Sequence, residues 1–241
     1  MTDIVLITGG SRGIGFETAS ALGLLGATVI ITGRTAATLA AATEELERRG
    51  IRVEPEVLDV TSPESVRHLM ERVRSRHDRL DVLVNNAGVA GEWTHPSATG
   101  FVHSDAARIT IDTNVLGVLY MIETFLPLLR ASSDARIVNV SSFMGSLALQ
   151  SAAAPENLVV PAYQASKAAL NSITITLDKA LGASGIRAVS VDPGFVQTDF
   201  SPINRDQAPL TAAQGAEPIV RAAAGQLTGG TFVGREGALP W

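Results

Sequence analysis

The sequence predicts an α/β fold, a doubly wound parallel sheet of about seven strands with helices on both faces. Three observations predict it. Short runs rich in β-branched residues alternate with stretches of helical periodicity, starting from Ile4-Val5-Leu6-Ile7. A glycine-rich turn, Thr8-Gly9-Gly10-Ser11-Arg12-Gly13-Ile14-Gly15, separates the first run from the first helical pattern. The chain has 241 residues, 46% hydrophobic and 18% charged, enough for one sizeable core. Residues 1–241 are expected to form a single domain.

Ile4 to Thr8 is the first expected strand, and Phe16 to Leu25 the first helix. Glycines let the turn between them approach an anion closely, and the helix N-terminus adds partial positive charge, so a pyrophosphate suits this place. The spacing Gly9, Gly13, Gly15 departs from the commonest dinucleotide pattern. Thr28 to Thr32 is the second strand, followed by Gly33 and Arg34 where an acid would bind a ribose 2′-hydroxyl. With no acid there, Arg34 and the loop residue Arg12 suit a 2′-phosphate, and NADP(H) is favoured over NAD(H).

A polar helix over Thr35 to Arg49 ends at Gly50. Ile51 to Leu58 is a third strand, and Pro55 places it at an edge. After Asp59-Val60, Ser62 caps a helix with Pro63 at its first position. His68 and His77 read as surface residues. Leu80 to Val84 is the fourth strand, ending in Asn85-Asn86-Ala87-Gly88, and Val89 to Ser104 is a loop. A long helix follows over Asp105 to Arg130, in which Asn114 and Gly117 are poor helix formers and mark a distortion.

Arg136 to Ser141 is the fifth strand, and Ser142 just beyond it points into the crevice where parallel sheets bind ligands. Tyr163 and Lys167 stand four apart ahead of the helical stretch Ala168 to Leu181, which sets them on one face. A cation beside a phenol favours the phenolate, so this pair suits proton exchange with a substrate oxygen. Ile186 to Val191 is the sixth strand. Phe200 to Pro209 reads as a loop able to close over substrate, Thr211 caps a helix through Gln226, and Gly229 to Val233 is the last strand.

The totals exclude several classes. Net charge is −5 with no basic run, which disfavours nucleic acid. The absence of cysteine rules out disulfides and thiolate metal sites, and no histidine has ligand companions at metal spacing, so no metal is expected. The first strand begins almost at the N-terminus, and no apolar stretch of bilayer length lacks charges or breakers. A cytoplasmic chain with no membrane partner is expected.

Taken in order, the glycine loop, Asp59-Val60, Asn85-Asn86-Ala87-Gly88, Asn114, Ser141-Ser142, Tyr163-x-x-x-Lys167 and Asp192-Pro193-Gly194 resemble the short-chain dehydrogenase/reductase family. The resemblance covers almost the whole chain, in the compact single-domain, carbonyl-reductase-like form, and implies a Rossmann-like sheet. It implies that Tyr163 is the general acid in carbonyl reduction and the base in alcohol oxidation. Lys167 would lower the Tyr163 pKa and hold the nicotinamide ribose, Ser142 would bond the substrate oxygen, and Asn114 would support a water-linked proton path to Lys167. Gly9, Ser11, Arg12, Gly13, Ile14 and Gly15 would cradle the NADP(H) phosphates with Arg34. Asp59 and Val60 would flank adenine. Asn86, Ala87, Gly88, Pro193, Gly194, Val196 and Thr198 would line the rest of the cleft, Thr198 at the carboxamide.

One stretch departs from many family members. Ser146 to Pro161, with Ala152-Ala153-Ala154-Pro155-Glu156, is longer and favours a monomer or homodimer, while a tetramer stays open. Phe143, Met144, Trp93, Phe195 and Phe200 would give an apolar pocket for a ketone or aldehyde with a hydrophobic body. The leading expectation is an NADPH-dependent carbonyl reductase acting on a small molecule. The alternatives are a non-catalytic NADP(H) sensor or scaffold on this fold, and a sugar-nucleotide epimerase or dehydratase, which usually carries a longer C-terminal region.

Overall fold

The strands of the computed structural model, which describes residues 2–154 and 158–241, are β1 (Ile4–Ile7), β2 (Thr28–Gly33), β3 (Val53–Val57), β4 (Val82–Asn85), β5 (Arg136–Val140), β6 (Arg187–Val191) and β7 (Thr231–Val233). They form one parallel sheet in the order β3-β2-β1-β4-β5-β6-β7. β1 and β4 are buried at every position, as expected for strands covered on both faces. Their alternate residues feed separate cores. Val5 and Ile7 pack with α1 (Gly13–Leu24), α2 (Ala36–Arg48) and α9 (Ala212–Ala223). Ile4 and Leu6 pack with α3 (Pro63–Arg74), α5 (Gly117–Arg130) and α7 (Pro161–Leu181).

β3 is the expected edge, with Pro55 in it. Its acids are covered by α3 and the residues after it. Glu56 pairs with Arg72 and Arg76 at 2.6 Å, and Glu54 with His77 at 3.0 Å. His77 is therefore half-buried against an edge-strand carboxylate, not free on the surface as its sequence suggests.

The expected distortion of the long helix is real. α4 (Ser104–Ile111) passes into a wider π-turn at Asp112–Leu116 before α5 resumes the regular winding. The extra residue aims Asn114 inward. A Cβ on Gly117 would lie 2.9 Å from Val60 Cγ2, so the helix packs on the Asp59-Val60 segment more closely than a side chain allows. By length and mean hydropathy (27 residues, 1.3) Ser104–Arg130 meets the test for a membrane span, with Glu123 and Pro127 within it. Met121, Phe125 and Leu129 of that helix are fully buried in the sheet core.

Two short helices go beyond the sequence reading, one in the long segment and one in the stretch read as a loop. α6 (Leu147–Ala152) is capped by Ser146, and α8 (Pro202–Gln207) by Ser201 with Pro202 at its first position. Both are single-turn structures that serine capping fixes better than apolar periodicity reveals. α7 runs from Pro161 and carries both Tyr163 and Lys167, as their spacing suggests. α9 stops at Ala223, short of Gln226, after a Thr211/Gln214 capping box. Pro155 and Glu156 of the long segment lie outside the described residues.

Chain order around the sheet reverses between β1 and β4. The loops leaving their C-terminal ends diverge there and open a crevice. A buried polar row locks α7 beneath it. Asn85 Nδ2 donates to Asn139 Oδ1 (2.9 Å), Asn139 Nδ2 to Thr174 Oγ1 (2.9 Å), and Ser190 Oγ to Thr174 Oγ1 (2.8 Å). Pairing polar groups inside an apolar layer fixes the register of helix on sheet, because any slip leaves them unsatisfied.

Candidate active site

The crevice is a cavity of about 1600 Å³ across the C-terminal ends of the strands. It is lined by the glycine loop, Arg34, Asp59, Val60, Asn86, Ala87, Gly88, Ser142, Tyr163, Lys167, Pro193, Gly194, Val196 and Thr198. Among the expected site residues Asn114 alone does not line it. Asn114 stands behind the wall, almost fully buried. It donates to Val89 O (2.8 Å) and Ser166 Oγ (3.0 Å) and accepts from Val89 N (2.9 Å). Gly88 separates it from Lys167. A Cβ there would lie 3.4 Å from Asn114 Oδ1 and 3.6 Å from Lys167 Nζ.

At one end of the cavity, α1 begins after Arg12, which offers no side-chain cap, so the first N–H groups of the helix face the cavity without that acceptor. Gly9 and Gly13 have φ of 67° and 57°, which side chains resist. Thr8 Oγ1 accepts from Asn86 N and Ala87 N, both at 3.0 Å, tying this loop to the end of β4. The strip after β6 returns to the same place. A Cβ on Gly13 would lie 3.3 Å from Thr198 Cγ2. Arg12 and Arg34 are exposed on the cavity wall and form no ion pair among the described residues. Uncapped N–H groups flanked by two free guanidinium groups fit the phosphates of a dinucleotide.

At the other end, the Ser142 hydroxyl is close enough to the Tyr163 phenol to favour its charged form. Ser141 instead turns into α7 and donates to Asn171 Oδ1 at 2.7 Å, leaving Ser142 as the hydroxyl beside Tyr163. Lys167 is buried and donates to Val140 O at 2.7 Å, its Nζ 5.5 Å from the Tyr163 ring centre. Phe200 packs on Tyr163 with ring centres 5.4 Å apart. Trp93, Phe143, Met144, Phe195 and Phe200 all line this half, as expected.

The pKa shift expected at Tyr163 is corrected in the isolated chain. Part of the Tyr163 surface meets the cavity, yet the phenol is enclosed by protein, and this burial pushes its pKa above the ordinary tyrosine value. Ser142 opposes the rise, while the carboxylates Asp192 and Glu92 add to it. Burial pushes Lys167 down to about 8, against the pull of Asp192. Asp192, itself buried and raised by burial, accepts from Gly194 N at 3.2 Å and faces Lys167. Burial is the largest of these influences on the phenol.

Sequence reasoning missed Glu92 and Asp192. Asp192 belongs to a recognised motif in which its carboxylate is given no role. Glu92 has no local signal, because its partners lie 70 and 71 residues away.

Residues 3–208 match the family model described as short chain dehydrogenase. The chain belongs to the short-chain dehydrogenases. A short-chain dehydrogenase of Penicillium roqueforti is 36% identical over 91% of this chain and 88% of its own length. Sulfoacetaldehyde reductase 2 of Chromohalobacter salexigens is 33% identical over 91% and 87%. Among solved structures, NADPH-bound carbonyl reductase from chicken fatty liver superposes with a TM-score of 0.85 at 26% identity, over 100% of this chain and 99% of that one. Salutaridine reductase of Papaver somniferum gives 0.82 at 27%, over 95% and 99%. As a short-chain dehydrogenase the chain is an oxidoreductase acting between carbonyl and alcohol groups of small molecules.

The Lys167 shift gives a pH signature. Below about pH 8 Lys167 carries the ammonium a ribose hydroxyl would meet, and above it the charge is lost. Cofactor affinity, followed by NADPH fluorescence between about pH 6 and 10, is expected to weaken as pH rises through about 8. Asp192→Asn removes the neighbour that raises Lys167 and moves the transition to lower pH. Affinity flat across that range would contradict Lys167 as a cofactor ligand.

Proposed function

We propose that this protein is an NADPH-dependent carbonyl reductase, reducing a neutral ketone or aldehyde with an apolar body, with Tyr163 as proton donor. The observation that carries this reading is one cavity holding Ser142, Tyr163 and Lys167 at one end and an uncapped helix start with two free arginines at the other. Bound NADPH supplies the hydride. The chain supplies the rest. Ser142 and Tyr163 both offer O–H donors where negative charge grows on the carbonyl oxygen, and one such well-aimed donor contributes about 3–4 kcal/mol. Tyr163 then gives its proton to that oxygen. Burial keeps the phenol in the protonated form that donation starts from, while making it a weaker acid than an ordinary tyrosine.

Lys167 holds ribose hydroxyls, and Asn114 fixes the wall behind Gly88 and the Val89 backbone. Arg12 and Arg34 take the 2′-phosphate. Chicken carbonyl reductase is NADPH-bound, and a metagenomic short-chain oxidoreductase 28% identical to this chain is in complex with NADP. Asp199 and Arg205, charged groups near the substrate half, pair with each other at 3.0 Å, which favours an uncharged substrate. Residues 1–241 act as one dinucleotide-binding and catalytic domain, cytoplasmic, as a monomer or homodimer.

The test is NADPH oxidation across a panel of aryl and aliphatic ketones, aldehydes and secondary alcohols. Turnover of apolar carbonyl compounds is expected. Tight NADPH binding with no turnover of any member would favour a cofactor sensor instead.

A further inference from the structure

The helix that carries Tyr163 starts without a cap of its own. Val160 at its N-cap offers no side-chain acceptor, and Pro161 at its first position has no N–H. The N–H groups of Ala162 and Tyr163 are then the first orphan donors of α7. One atom takes both. Glu92 Oε1 accepts from Ala162 N at 2.7 Å and from Tyr163 N at 3.0 Å. Glu92 Oε2 is buried and has no partner among the described residues, so its charge is offset mainly by that helix terminus.

Glu92 stands in the short turn Gly91–Trp93 after β4, and that turn is fastened on its far side. Gly91 N donates to Thr110 Oγ1 at 2.9 Å, and a Cβ on Gly91 would collide with the Ala106 backbone of α4. The next residue, Trp93, walls the cavity. One carboxylate thus joins the first turn of the catalytic helix to the segment that shapes the substrate half.

We propose that Glu92 is a positioning residue for Tyr163, acting through the backbone of α7 and tying the setting of the phenol to the Trp93 turn. This rests on Tyr163 being the proton donor. Glu92 acts in two separable ways. Its oxygen holds the Tyr163 backbone, and its charge opposes formation of the phenolate. The other charged groups facing Tyr163 are Lys167 on the same helix and Asp192 at the end of β6. Neither touches the N-terminus of α7.

Glu92→Ala removes both contributions, and Glu92→Gln keeps an amide oxygen for the two N–H groups while removing the charge. Turnover of an aryl ketone with NADPH is expected to fall about 100-fold in Glu92→Ala, through kcat with little change in the NADPH KM, and to recover largely in Glu92→Gln. The Gln variant should also ionise Tyr163 at lower pH. That is read from the rising limb of alcohol oxidation and, without substrate, from phenolate absorbance after subtracting the Tyr163→Phe spectrum, since the chain has two tyrosines. A Glu92→Ala protein that folds and keeps parental kcat overturns the proposal. So does a folded Glu92→Gln protein whose turnover has fallen as far as that expected of Glu92→Ala, a result that stands even where the Ala variant fails to fold. Turnover retained in Tyr163→Phe would instead strike the assignment of the proton donor.

Discussion

Tyr163→Phe is expected to lower reductive turnover by about 10²–10⁴-fold, the usual contribution of a positioned general acid. NADPH affinity should stay near that of the parent. The substitution deletes one oxygen and keeps the ring, so the packing on Phe200 at 5.4 Å and the N–H bond to Glu92 both persist. What is lost is the donor paired with Ser142. Ser142 alone still offers a hydroxyl to the carbonyl oxygen but has no group positioned to restore its proton. Rate measurement on an aryl ketone, with NADPH binding followed by fluorescence, separates the two effects. A Phe variant with parental kcat would remove Tyr163 from the chemistry.

The direction of proton transfer matters to this expectation. In the isolated chain burial holds the phenol protonated, and two carboxylates reinforce this. The phenol therefore holds its proton at neutral pH, the form from which carbonyl reduction starts. Oxidation of an alcohol, which needs the phenolate, should therefore require higher pH than reduction in the same protein.

Sheet and site were legible in the sequence to different depths, for physical reasons. β1 and β4 announced themselves because strands buried on both faces need unbroken apolar runs. Pro55 marked the edge because a ladder position without an N–H is tolerated only there. Asn114 and Gly117 marked the π-turn, since poor helix formers persist inside a helix where something else needs them. Tyr163 and Lys167 were visible through helical spacing. By contrast, the caps of α6 and α8 were too short to carry periodicity. The link from Glu92 to α7 spans 70 residues with no repeating pattern to betray it. The sign of the Tyr163 shift was misread because proximity of Lys167 is written in the sequence, whereas burial is a property of the assembled cavity.

The phosphate end gives the second large effect. Arg34→Ala combined with Arg12→Ala is expected to lower kcat/KM for NADPH by about 10–100-fold while leaving NADH nearly unchanged. Each guanidinium–phosphate contact is a charge-assisted hydrogen bond of about 1.5–3 kcal/mol, and every 1.4 kcal/mol is about tenfold. The expected loss lies below the summed range, because both side chains are exposed and screened by salt before cofactor arrives. Raising ionic strength should therefore weaken NADPH use in the parent more than NADH use, and the double variant should lose that difference. Arg34 is a cleaner position than Gly33 for this experiment. A Cβ at Gly33 would lie 3.1 Å from Ser11 Oγ and 3.3 Å from Leu39 Cγ, so an acid placed there would disturb the glycine loop as well as the charge. A parent that prefers NADH, or a double variant with unchanged preference, would assign the two arginines to the surface and leave the uncapped start of α1 as the sole phosphate site.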